Sequence, residues 1–175
     1  MTDKQILFGR EEISSRVREL GLEITNAYRD RPLVLIGVLN GAFIFLADLA
    51  REIDLNMEID FIRVASYGDA TTTSGTIRLT KPPEIDLNGK DILLVEDIVD
   101  TGTTLAWLHQ YFAEHNAGSV KICALINKLE RRETAVVVDY SGFQVEKGFL
   151  VGYGLDYAER FRNLPAIYSV GEIHD

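Results

Sequence analysis

Apolar positions along this chain fall into two patterns, unbroken runs and helical spacing. Leu33 to Leu39 (LVLIGVL) is a continuous apolar run, as expected of a strand covered on both faces. Asp91 to Val95 and Val120 to Ile126 repeat that pattern. Arg10 to Arg29 instead places Ile13, Val17, Leu20, Ile24 and Tyr28 on one face of a helix. Thr104 to His115 does the same with Leu105, Leu108, Tyr111 and Phe112, and Ala42 to Ile53 reads as helical. Met57 to Ser66 is rich in β-formers with partial alternation. Thr76 to Thr80 predicts a returning strand, stopped by Lys81-Pro82-Pro83. Val136 to Tyr140, Phe149 to Gly152 and Ala166 to Val170 are weaker strand candidates. Gly68 to Gly75 (GDATTTSG) has no apolar residue larger than alanine and predicts a mobile loop.

Strands alternating with helices imply an α/β fold with a largely parallel open sheet flanked by helices. Ligands of such sheets bind outside the carboxyl ends of the strands. Four segments follow apolar runs directly: Asn40-Gly41, Glu96 to Thr104, Lys128, and Gly152 to Asp156. They are expected to meet in one crevice.

Bulk properties narrow the choice of ligand. The 175 residues suit one ordinary domain, and 46% hydrophobic with 26% charged residues indicates a globular protein. With 27 acidic and 18 basic side chains the net charge is -9. This excludes broad nucleic-acid or anionic-membrane binding, which requires basic surface. Cys123 is the sole cysteine, so no intramolecular disulfide forms. The amino terminus lacks a signal-peptide core, and no apolar run approaches the ~20 residues of a membrane span. A cytoplasmic location is the default expectation. His109, His115 and His174 show no metal-ligand spacing with Cys123 and read as structural or solvated.

The segment VEDIVDTGTTL, Val95 to Leu105, concentrates the chemistry. Thr101, Gly102, Thr103 and Thr104 stand between a strand and a helix. Backbone amides there, with threonine hydroxyls, make a cradle for a phosphate dianion. Glu96 and Asp97 repel phosphate, but they accept hydrogen bonds from sugar hydroxyls or hold Mg2+ that the ligand also coordinates. Together these features point to a sugar phosphate with free hydroxyls. The plainer alternative is a helix N-cap with a few solvated acids. The position of Glu96 and Asp97 at the end of a buried strand favours the ligand.

Val95 to Thr104 resembles the 5-phosphoribosyl-1-pyrophosphate (PRPP) motif of the type I phosphoribosyltransferases: two acids, two aliphatics, Asp-Thr-Gly, then a hydroxylic residue. Leu39-Asn40-Gly41, Ser66-Tyr67, Lys128, Phe149-Leu150-Val151-Gly152-Tyr153, Leu155-Asp156-Tyr157 and Phe161-Arg162 match in order. The chain is similar, over roughly Leu7 to Gly171, to the short bacterial hypoxanthine-guanine phosphoribosyltransferases.

The resemblance implies a core of about residues 30–140. It also implies a small hood built from the amino-terminal segment and about residues 145–175. It implies transfer of phosphoribose from PRPP to a 6-oxopurine, with release of pyrophosphate. Asp100 would be the general base at purine N7. Glu96 and Asp97 would hold the ribose hydroxyls, and Asp100, Thr101, Gly102, Thr103 and Thr104 the 5-phosphate. Leu39, Asn40, Gly41 and Arg162 would meet pyrophosphate, across a peptide that the family often holds cis. Ser66 and Tyr67 would lead a lid. Lys128, Phe149, Leu150 and Asp156 would bind the purine, while Glu96, Asp97 and Asp156 would serve Mg2+. A homodimer or homotetramer is also implied. Many relatives carry lysine where this chain has Asn40 and Thr103, so charge at the phosphates falls to metal, Arg162 and backbone donors.

Simpler roles compete residue by residue. Asp100 could cap a helix, Asn40-Gly41 could be an ordinary turn, and Ser66-Tyr67 a plain strand end. Lys128 could be solvated, Phe149 packed in the core, and Asp156 a turn cap. Two other functions compete as well. A regulatory PRPP- or nucleotide-binding protein could share the fold, although a sensor need not retain Asp100, a lid and Lys128 together. A receiver-type signalling domain also groups acids at strand ends, but it lacks an Asp-Thr-Gly-Thr-Thr cradle.

Overall fold

In a computed structural model, residues 4–67 and 76–171 are described. The elements run β1 (Lys4–Phe8), α1 (Arg10–Ala27), β2 (Leu33–Leu39), α2 (Phe43–Glu52), β3 (Glu58–Tyr67) and β4 (Thr76–Lys81). They continue with β5 (Asp91–Val99), α3 (Thr103–Glu114), β6 (Ser119–Lys128), β7 (Tyr140–Val145), β8 (Phe149–Val151) and β9 (Ile167–Val170).

Six strands form the central sheet in the order β4-β3-β2-β5-β6-β7. Its neighbours pair in parallel except β3 and β4, which are antiparallel. The apolar runs are unbroken because both faces are covered. On one face Leu33 and Leu35 of β2 with Leu93 and Val95 of β5 pack against Leu20 and Ile24 of α1 and Phe45 and Leu49 of α2. On the other face Val34, Ile36, Ile92 and Leu94 pack against Leu105, Leu108 and Phe112 of α3. Asp91 ties the strand starts together: it takes two bonds of 2.7 Å from Arg31 and one from the Ser119 hydroxyl.

The chain leaves β2 toward β3 and β4 on one side, then crosses to β5 on the other. The carboxyl ends of β2 and β5 therefore flank the point where strand order reverses, which is where open α/β sheets bind ligands. A second sheet, β1-β9-β8, is antiparallel and joins the two chain ends, forming the expected hood.

One expectation differs from the structure. Val136 to Tyr140 is not a strand; β7 begins at Tyr140. Val136 and Val138 pack against the α3-side core while Val137 is exposed, so their alternation reflects docking of a loop. β5 extends to Val99, so Glu96 and Asp97 continue the buried strand as expected. The predicted loop Gly68–Gly75 lies outside the described residues. So do the side chains of Ser66 and Tyr67, whose backbone ends β3.

Candidate active site

Gly102 ends the strand-to-helix turn at φ +82° and caps α3. This left-handed backbone suits glycine, and a Cβ there would come within 2.5 Å of the Thr134 carbonyl oxygen. The loop after β6 is thereby packed directly under the cradle. Glu133 and Thr134 each donate a backbone N–H to the Thr101 carbonyl at 3.0 Å, and the Thr103 and Thr134 hydroxyls lie 3.1 Å apart. Amides in the first turn of α3 have no intrahelical acceptor and are available to an anion. A cleft of about 260 Å³ opens over Glu96, Asp100, Thr101, Gly102 and Thr104, with Val38 and Val64 as apolar walls.

Across the switch point, β2 gives way to Asn40-Gly41 through a cis Leu39–Asn40 peptide. The Asp97 carboxylate lies where a Cβ on Gly41 would be. A Cβ on Gly154 would overlap the Gly41 carbonyl in turn. The end of β2, the end of β5 and the Gly152–Asp156 segment are thus in contact, as their positions after apolar runs predict. A hollow of about 440 Å³ between α1, α2 and residues 163–165 is larger, but none of the predicted site residues line it.

Asp100 is the junction of the site. One of its oxygens accepts a bond of 3.3 Å from Arg131. The other, buried, accepts no hydrogen bond among the described residues and lies 3.8 Å from the Lys128 ammonium. Lys128 is 8% exposed, so its ammonium is not a solvated strand end. It pairs with Glu130 at 3.3 Å, and Glu130 accepts the Gly148 N–H at 3.2 Å. This chain of contacts brings Phe149 to Lys128. Phe149 is 41% exposed and its ring stands perpendicular to that of Tyr157 at 5.5 Å, so part of its surface is available for stacking. Leu150 is buried in β8.

Asp156 and Arg162 are brought together. Arg162 bonds to Asp156 at 2.9 Å, to Glu159 at 3.0 Å and to the Gly154 carbonyl at 2.8 Å. Asp156 also accepts the Glu159 N–H. Asp156 is therefore paired within its own loop. Among the described residues no group of three metal-ligating side chains stands together. Glu96 and Asp97 sit side by side at the end of β5.

These two carboxyls fit a cation that arrives with a ligand. Burial, then the neighbouring Asp97 carboxylate, holds the Glu96 carboxyl well above the usual carboxylate range. Burial also raises Asp97, against hydrogen bonds that lower it. A cation offsets both costs. In the unliganded protein the neutral form of Glu96 favours folding. That stabilisation is complete below the unfolded pKa of about 4.3 and is lost as pH rises through the elevated folded value. Glu96→Gln is permanently neutral and is expected to match wild type in Tm near pH 4 and exceed it at pH 8. Calorimetry at the two pH values checks this, and an equal difference at both would contradict it.

Residues 8–158 match the Phosphoribosyl transferase domain family. The chain belongs to the phosphoribosyltransferase family. It is 46% identical over 164 residues to the hypoxanthine-guanine phosphoribosyltransferase of Bacillus subtilis, covering 94% of this chain and 91% of that one. It is 44% identical over 167 residues to the enzyme of the same name from Aquifex aeolicus, covering 95% and 94%. Among solved structures, a hypoxanthine-guanine phosphoribosyltransferase from Bacillus anthracis superposes with a TM-score of 0.91 at 42% identity, covering 98% of this chain and all of that one. A hypoxanthine phosphoribosyltransferase from Staphylococcus aureus gives 0.92 at 36% identity, covering 95% and 91%.

Two residues of this phosphoribosyltransferase site escape a reading of the sequence. Arg132 donates to the carbonyls of Val99, Asp100 and Lys128 and to the Asn127 side chain, at 2.7 to 3.3 Å. It fixes the ends of β5 and β6 to each other and thereby sets Asp100 against Lys128. Arg63 bonds to Asn40 at 2.7 Å. The one positive charge inside the β-forming segment Met57–Ser66 is the sequence signal for Arg63. Among the described residues no helix is long and apolar enough to cross a membrane.

Proposed function

We propose that this chain is a hypoxanthine-guanine phosphoribosyltransferase of purine salvage. It joins hypoxanthine or guanine to PRPP and releases pyrophosphate with IMP or GMP. The observation that carries the reading is the buried, unbonded oxygen of Asp100, held between the phosphate cradle and Lys128. A proton acceptor in that position serves a base that must lose its N7 proton as N9 bonds to the ribose C1.

Each subsite contributes a distinct part. Asp100 to Thr104 hold the 5-phosphate with amides and hydroxyls, replacing water without charge. Lys128 donates to the purine O6, Phe149 stacks on the ring, and the Leu150 backbone meets the base edge with Asp156. Leu39-Asn40-Gly41 and Arg162 face pyrophosphate, and Ser66-Tyr67 lead the lid that excludes water. Glu96 and Asp97 would orient the ribose hydroxyls, and Glu96, Asp97 and Asp156 would serve Mg2+. When bound, Mg2+ offsets the charge of the departing pyrophosphate while positive charge develops on the ribose. Residues of about 30–140 form the core under the hood. The family expectation of a cytoplasmic homodimer or homotetramer completes the proposal.

The alternative, a PRPP sensor without turnover, is separated by one assay. Purified protein with hypoxanthine, PRPP and Mg2+ is expected to release pyrophosphate, and excess chelator is expected to abolish release. PRPP binding without pyrophosphate release would favour the sensor. Full turnover in chelator would remove the metal from the scheme.

A further inference from the structure

Cations in the crevice are mostly compensated. Lys128 and Arg131 share Asp100, and Lys128 also pairs with Glu130. Arg162 is bound to both Asp156 and Glu159. Lys81, opposite Arg63 on β4, spends its ammonium on the Phe61 carbonyl, Asp60 and Glu84. The Glu96–Asp97 pair supplies no positive charge where an anion must bind, in a chain already at -9.

Arg63 is different. It sits on β3 directly beside Leu39, in register across the β2–β3 pair. Phe61, two positions earlier, packs toward the α1–α2 face and Ile62 toward α3. Alternation along the strand therefore sends Arg63 to the side on which Asn40-Gly41 leads into α2. Its guanidinium meets the Asn40 side-chain oxygen at 2.7 Å. Among the described residues that is its one side-chain hydrogen bond, and no carboxylate lies within ion-pair distance. A guanidinium has five donors in a planar fork. Asn40 takes one and fixes the plane, leaving the rest for a second acceptor. Asparagine offers no charge of its own at position 40, but its oxygen holds a charge that comes from the neighbouring strand.

We propose that Arg63 is a further cation of the pyrophosphate subsite beside Arg162, with Asn40 as the residue that positions it. The proposal rests on the phosphoribosyltransferase reading above and adds a ligand contact to it. Pyrophosphate, or the pyrophosphoryl group of PRPP, would accept from the guanidinium in the bidentate geometry that arginine suits. Product nucleoside monophosphate has no group there.

The test is equilibrium binding of Mg2+-pyrophosphate, PRPP and IMP to wild type, Arg63→Ala, Asn40→Ala, the double variant, and Arg63→Ala combined with Asn40→Lys. Arg63→Ala is expected to weaken pyrophosphate and PRPP by roughly 10–100-fold, the range for a charge-assisted bond, and to leave IMP within about threefold. Asn40→Ala is expected to weaken the same two ligands less. The double variant should be no worse than Arg63→Ala, since Asn40 acts through Arg63. Lysine at position 40 should recover much of the loss. Unchanged pyrophosphate affinity in Arg63→Ala would overturn the proposal. So would equal weakening of IMP, which would mark Arg63 as a structural residue. If wild type itself binds neither PRPP nor IMP, the functional reading fails instead, an outcome distinct from both.

Discussion

Asp100→Asn is expected to lower kcat by roughly 10²–10⁴, the range for losing a general base, while PRPP binding persists. Asparagine keeps the shape and can still accept a hydrogen bond, but it cannot take a proton. The backbone of residue 100 is held independently of its carboxylate, because Arg132 grips the Asp100 carbonyl. The cradle should therefore survive the substitution. Lys128 loses a charge partner at 3.8 Å but keeps Glu130 at 3.3 Å. The measurement is kcat beside the dissociation constant for PRPP. An unchanged kcat would remove Asp100 from the chemistry, and a parallel loss of PRPP binding would show that the cradle had collapsed.

Lys128→Ala is expected to lower kcat/KM for hypoxanthine by roughly 10–100-fold and to narrow the gap between hypoxanthine and adenine. An ammonium has three donors and no acceptor. Hypoxanthine and guanine present a carbonyl oxygen at C6, which complements it. Adenine presents an amino group there, so donor faces donor where neither recovers its lost water. The side chain is buried at the end of β6, held by Glu130 and ultimately by the Gly148 amide beside Phe149. The donor is thus fixed next to the exposed Phe149. A Lys128→Ala variant with unaltered hypoxanthine kcat/KM would remove the lysine from base selection.

How much the sequence discloses depends on how far apart the interacting residues lie. β2, β5 and β6 are legible because continuous apolar runs have one common cause, burial on both faces. α1 and α3 are legible from their period. The Val136–Tyr140 run misleads because alternation also arises when a loop docks two valines on a core with no strand to pair with. β1 carries mixed residues with an exposed pattern, and its partner β9 is more than 150 positions away. The cradle is legible because its residues are contiguous. Arg132 and Arg63 are not, since their partners lie up to 33 and 23 positions away. Asp156 is legible as an acid after an apolar run, but only the fold reveals its pairing with Arg162.

The central claim is that one crevice, at the carboxyl ends of β2, β5 and β6, joins a 6-oxopurine to PRPP. It is tested most directly by kcat/KM for hypoxanthine, guanine, xanthine and adenine with wild-type protein, PRPP and Mg2+. The account predicts turnover of hypoxanthine, and of guanine as the second substrate. It predicts adenine lower than hypoxanthine by roughly 10⁴–10⁵, the discrimination available to a site whose buried donors would be left unpaired. Adenine turnover within about tenfold of hypoxanthine would contradict it, since that is less than a buried unpaired donor permits.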